Sequence, residues 1–150
     1  MKKIIIYSLI AATFLLSACS TDLAVIGNYK ETMVVYGLLD QSKTTQYIKI
    51  NKAFLGEGNA FQYAQVKDSV QFAKSLNVVL KRIKNGVELA SYNLVPDNIP
   101  QKNLGVFYSA DQSNAIYSTN TALFADSEYQ LVIKNSETGT TVSSQTSLVN

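Results

Sequence analysis

The segment "LNVVLKRIKNGVELASYNLV", residues 76–95, constrains the fold more than any other part of this chain. Two runs rich in β-branched residues flank Asn85-Gly86, the dipeptide best suited to the positive φ angles of a type I′ turn. A hairpin is expected there, and a lone hairpin is marginal until other strands cover its apolar face. The chain supplies such strands. "TMVVYGLLD" (32–40) and "TQYIKINKAF" (45–54) flank the turn "QSKT", and read as an antiparallel pair. In the second of them Tyr47 and Lys49 alternate with Ile48 and Ile50, the period of a half-buried strand. "LGVFYSA" (104–110), "NAIYST" (114–119), "SEYQLVIKN" (127–135) and "TTVSSQTSL" (140–148) follow, with turns at 111–114 and 136–139. Eight strands joined by mostly short turns imply an all-β chain, an immunoglobulin/fibronectin-III-like antiparallel β-sandwich.

Within "TALFADSEYQLVI" (121–133), Leu123 precedes Tyr129 by six residues, and Tyr129, Leu131 and Ile133 share one strand face. That layout resembles the tyrosine corner of such sandwiches, in which the hydroxyl bonds back to the preceding crossover loop. The alternative is an ordinary inward tyrosine, and in both cases Tyr129 is structural.

One segment exceeds a minimal sandwich. Residues 51–75, "NKAFLGEGNAFQYAQVKDSVQFAKS", separate two strands by far more than a turn requires, and loops of this length usually carry function or structure of their own. A short helix capped by Asp68 or Ser69 and running through Lys74 is expected. Phe54, Phe61, Tyr63 and Phe72 are the candidate binding residues, either packed onto the sheet or presented to a partner.

The N-terminus reads differently. "MKKIIIYSLIAATFLL" has two lysines and then an uncharged apolar run, which fits a signal peptide and is too short to span a bilayer well. Leu16-Ser17-Ala18-Cys19 resembles the lipobox of bacterial lipoproteins. By that resemblance residues 1–18 are cleaved as a signal peptide and Cys19, the chain's one cysteine, is acylated. Residues 19–31 would form a tether and 32–150 the folded domain. Several acyl chains, at about 0.8 kcal/mol for each buried methylene, would hold such a protein on a membrane. Lipidation would also take the thiol out of any disulfide, zinc or nucleophile role.

Composition narrows the chemistry. The processed chain from Cys19 to Asn150 has 132 residues, one domain by length. Its 11 basic residues, once Lys2 and Lys3 are removed, balance its 11 acidic ones. The one basic cluster, "KRIK" (81–84), divides between two strand faces, so nucleic acid is not expected as a partner. There is no histidine, which removes Ser-His and Cys-His pairs and the commonest general base. Asp126 and Glu128, two apart, make a weak acid–base pair because they lie at a strand entry and not in a cleft. Asp97 with Asn98, and Asp111 with Asn114, offer oxygen ligands for calcium but lack the spacing of a dedicated loop, and read as solvated turns. Gly56 and Gly58 lack the lysine and helix of a phosphate loop. The chain is read as a non-enzyme without cofactor or metal.

The lipobox, "MVVYGLLD", "YIKINKAFLG", "KDSVQF", "GVFYS", "AIYSTN" and "YQLVIKNSETGTTVSSQT", in this order, resemble the N-terminal immunoglobulin-like part of uncharacterised Bacteroidota outer-membrane lipoproteins, a domain of unknown function. The resemblance implies a lipid-anchored, non-catalytic binding or assembly module of the outer membrane, accessory to a TonB-dependent receptor. It would engage its partner through residues 51–75 or an exposed strand edge. The alternatives are the N-terminal piece of a longer carbohydrate-processing lipoprotein, since "SLVN" ends the chain directly after a strand as a truncated copy would, and a surface-fibre subunit completed by a donated strand. Surface-export tags of that phylum are acidic after the cysteine, and "STD" offers only Asp22, so periplasmic and surface exposure both stay open.

Overall fold

Alternation of apolar and polar residues sets the architecture, because a strand that buries every second side chain needs a second layer to bury them against. The structure, a computed structural model, describes residue 27 and residues 30–72, 76–99, 105–108 and 114–148. Its strands are β1 (Met33–Leu38), β2 (Thr45–Lys52), β3 (Asn77–Lys84), β4 (Val87–Ile99), β5 (Asn114–Asn120), β6 (Glu128–Lys134) and β7 (Thr141–Ser147). Two short helices, α1 (Ala60–Ala64) and α2 (Lys67–Val70), lie between β2 and β3. All pairings are antiparallel, in the order β1-β2-β5-β4-β3-β6-β7. The chain is all-β, and its single sheet curls.

The curl comes from β4. Its first half, Val87 to Leu94, pairs with β3, and its second half, Val95 to Ile99, pairs with β5. Pro96 sits just past the point where β4 leaves β3, so its missing N–H costs no bond on that side. The β3–β4 connection is the expected hairpin: Asn85 has φ 53° and Gly86 φ 77°. A register shift between Arg82 and Ile83, the mark of a bulge, adds local twist.

Curling brings the inner residues of both halves together. Ile48 and Ile50 of β2, Val78 and Leu80 of β3, and Tyr129 and Ile133 of β6 belong to one buried cluster. Fully burying an aliphatic side chain contributes about 1.5–3 kcal/mol, so these alternating positions supply the main driving force. Gly37 pairs with Ile48, and a Cβ there would collide with Ile48 Cδ1. Glycine thus leaves the space that the isoleucine fills. Two tyrosines tie loops to the core by accepting backbone N–H bonds. Tyr129, 1% exposed, takes the amide of Phe124 at 2.8 Å, and Tyr117 takes that of Leu76 at 2.8 Å. The first is the backward bond expected of a tyrosine corner. Buried Gln46 fastens the β1–β2 turn: its Nε2 donates to the carbonyls of Asp40 and Lys43, and its Oε1 accepts from Asp40 N–H.

Three expectations need correction. The described residues hold seven strands and not eight, because 105–108 of "LGVFYSA" form no strand; Tyr108 N–H instead donates to Ala64 O of α1 at 2.7 Å. Asp97 and Asn98 lie inside β4 and not in a turn. Neither Asp68 nor Ser69 caps a helix: both lie within α2, which starts after Val66 without a side-chain cap, while Asn59 caps α1 by accepting Phe61 N–H. Asparagine wins because its carbonyl reaches the orphan amide two residues on. Residues 1–26, with the signal peptide and Cys19, lie outside the described residues, as do Lys74 and turn residues 111–113.

Candidate functional site

The insertion between β2 and β3 holds the four aromatic candidates, and the structure divides them. Phe72 packs against the main core. Phe54 and Tyr63 stack on each other, ring centroids 6.1 Å apart and 26° between planes. Tyr63 is placed by two contacts: its hydroxyl donates to Glu57 O at 2.9 Å, and its ring lies where a Cβ on Gly56 would stand. Gly56 is therefore a packing residue. Phe61 is different, for it is 63% exposed on the first turn of α1. Its helix neighbour Ala64 is buried, so α1 turns one side inward and displays the other.

Phe61 has apolar company. The Tyr108 N–H bond to Ala64 O brings residues 106–108 beside α1, and Phe107 is 53% exposed there, with Val106 also exposed. Leu55 and Val66 are exposed on the insertion itself. Scattered surface apolar residues mean little, but several gathered around one short helix form a patch, and patches of this kind mark interaction sites. Sequence reasoning found Phe61 and missed Phe107, because reading 104–110 as a strand assigned alternate residues to a core.

The carboxylates do structural work. Asp126 accepts from Lys84 Nζ at 2.6 Å and from Ser127 Oγ at 3.0 Å, with Arg82 Nη2 at 3.5 Å. The Lys84 bond first, then the Ser127 bond, hold its carboxyl below the usual range. Arg82 also donates through Nε to the buried Ser127 and lays its guanidinium 3.7 Å from the centre of the Phe124 ring. Glu128 instead accepts from Gln145 Nε2 on β7. Asp126 and Glu128 thus serve different strands and converge on no shared space. Asp97 accepts from Ser118 Oγ within the sheet at 2.9 Å. Among the described residues no group of three or more acidic or cysteine side chains could hold a metal ion. Among them, too, no helix is long and apolar enough to cross a membrane. No family model, curated protein or solved structure matches the chain.

Proposed function

We propose that this chain is a lipid-anchored lipoprotein of the outer membrane, a non-catalytic binding module held by an acylated Cys19, whose partner is an envelope protein of the TonB-dependent receptor type. The observation that carries the binding role is the set of exposed apolar residues on and beside α1, of which Phe61 and Phe107 are the largest. Aromatic side chains offer large contact area at little conformational cost, and a few such anchors dominate most interfaces. The strand order, the partner change along β4 and the Tyr129–Phe124 bond support an immunoglobulin/fibronectin-III-like sandwich as the scaffold. The lipobox-like Leu16-Ser17-Ala18-Cys19 supports the anchor.

The test is crosslinking in the native membrane with a photoreactive residue at position 62, next to Phe61. Wild-type chain should yield one dominant protein adduct, and the Phe61→Ser, Phe107→Ser double variant, folded by its melting curve, should lose it. An adduct equal in both chains would overturn the patch as the binding surface. Cys19→Ser should release the protein from membranes, and full retention of that variant would overturn the anchor.

A further inference from the structure

Among the described residues the two ends of the strand order, β1 and β7, are edges: each pairs with one neighbour only, and they do not pair with each other. Curling nevertheless sets them opposite one another across a slit. A cavity of about 190 Å³ lies between Met33 and Val35 of β1 and Val142 to Ser144 of β7. A second, about 210 Å³, is walled by Val35 and Gly37 on one side and Ser144 and Thr146 on the other, with Leu80 and Tyr129 among the residues lining it. A third, about 790 Å³, opens between Gly37–Ser42 and Thr146–Leu148. The first and second share Val35 and Ser144, and the second and third share Gly37 and Thr146, so they form one groove that widens along its length.

Both walls run the same way, from the narrow end at Met33 and Val142 to the mouth at Leu38 and Thr146. The narrow end is bridged by Asn135 Nδ2, which donates to Glu31 Oε1 at 3.0 Å. The groove is open because its β7 wall is small where it faces inward, at Ser144 and Thr146.

Edges of this kind are normally blunted by charge, proline or a bulge. Neither "MVVYGL" nor "TVSSQTS" contains a charged residue or a proline. With one neighbour each, both strands turn alternate backbone groups toward the slit without a sheet partner among the described residues. An acyl chain would fill the space and leave those groups unpaired, whereas an extended peptide satisfies them. Because the walls are parallel, a strand entering antiparallel pairs with either edge, and antiparallel ladders are the slightly stronger kind.

Charge selects the occupant further. Among the described residues no ionisable side chain lines the narrow or the middle cavity except the Tyr129 hydroxyl, already bonded to Phe124. A charged side chain brought in there would lose its water with nothing to replace it. At the mouth stands Asp40, kept ionised by the Ser42 hydroxyl and amide and, less, by Lys43. An antiparallel strand has its N-terminal end at that mouth.

We propose that the β1–β7 slit is a docking groove for an extended peptide segment that lies antiparallel to β7, turns uncharged apolar side chains inward at every second position, and carries a basic residue at its N-terminal end beside Asp40. The groove shares no residue with the aromatic patch, so each can be disabled while the other is read.

The probe is a synthetic peptide, lysine followed by alternating valine and threonine over seven residues, against a control of the same composition with the alternation scrambled. Hydrogen exchange of the full chain should show saturable protection of the β7 amides, Thr141 to Ser147, with the alternating peptide alone. Ser144→Phe and, separately, Thr146→Leu plug the groove from its wall and should abolish that protection while amides of β3 and β6 exchange as in wild type. Asp40→Asn should weaken binding about threefold, the scale of an exposed ion pair. Equal protection by the scrambled peptide, or protection that survives both plugs, would overturn the proposal. So would concentration-dependent protection of β7 in the protein alone, which would make a second copy the occupant.

Discussion

Replacing Tyr129 by phenylalanine removes one oxygen and keeps the ring. The ring is buried among Leu80, Leu123 and Ile133, so Tyr129→Phe leaves no cavity and its cost is confined to the hydrogen bond. That bond is the 2.8 Å acceptance of Phe124 N–H. Stranding a buried donor costs about 1–3 kcal/mol. The Phe124 side chain is itself part-exposed, which gives the amide a partial route to water and places the expected loss near the lower end, about 1–1.5 kcal/mol. For a domain of this size that is a fall in Tm of roughly 3–6 °C. Denaturant unfolding of the acyl-free chain measures it, and the m value should be unchanged because the same surface is buried. Two internal standards bracket the result. Tyr117→Phe, which strands Leu76 N–H, should cost a similar amount. Tyr63→Phe, whose hydroxyl bonds an exposed carbonyl, should cost less than about 0.5 kcal/mol. If Tyr129→Phe were no worse than Tyr63→Phe, the hydroxyl would not be fastening the β5–β6 crossover and the reasoning would fail.

Three further outcomes are expected. Asn85→Val puts a β-branched residue at φ 53° and should destabilise the β3–β4 hairpin by about 1–2 kcal/mol, read by thermal melting; an unchanged Tm would mean the turn tolerates another geometry. Asp126 has its folded pKa depressed, so its contribution is present above the unfolded value near 3.9 and is lost as pH falls through the folded one. Asp126→Asn should therefore flatten the loss of stability below about pH 4; an identical acid limb in the two chains would show that Lys84 and Ser127 do not favour the carboxylate. Gly37→Ala drives a Cβ against Ile48 Cδ1 and should cost about 1–3 kcal/mol, with Ile48→Val on the same chain recovering part of it; strict additivity in that double-mutant cycle would refute the close contact.

Local chemistry accounts for what the sequence made legible. Asn85-Gly86 specifies its turn without outside help, and the alternation through Ile48 and Ile50, or Tyr129, Leu131 and Ile133, reports burial wherever a strand has one dry face. Those are short-range signals. Pro96 shows where they stop. A proline within an apolar run argues for a strand end, yet β4 continues through it for three more residues, because the strand changes neighbours there and needs no donor on the side it leaves. Nothing within a few residues of Pro96 encodes that exchange. The same holds for "LGVFYSA", whose apolar content resembles a strand while its backbone at Tyr108 is claimed by α1.

The surfaces offered here as binding sites were hidden for a related reason. Phe61, Phe107 and the inner residues of β1 have the composition of core residues, and composition does not say whether a second layer arrives to cover them. For β1 the matter turns on β7, more than a hundred residues away, whose middle inward positions are Ser144 and Thr146, set between the aliphatic Val142 and Leu148 that pack on the core. Thr-Val-Ser-Ser-Gln-Thr-Ser alone is an unremarkable polar strand. Set opposite β1 it becomes the open wall of a groove, so Ser144 and Thr146 are better explained as making room for a further strand than as a poorly filled core. A core left unfilled would be expected to show irregular packing throughout, whereas Leu80, Tyr129 and Ile133 at the floor of this slit are each about 1% exposed.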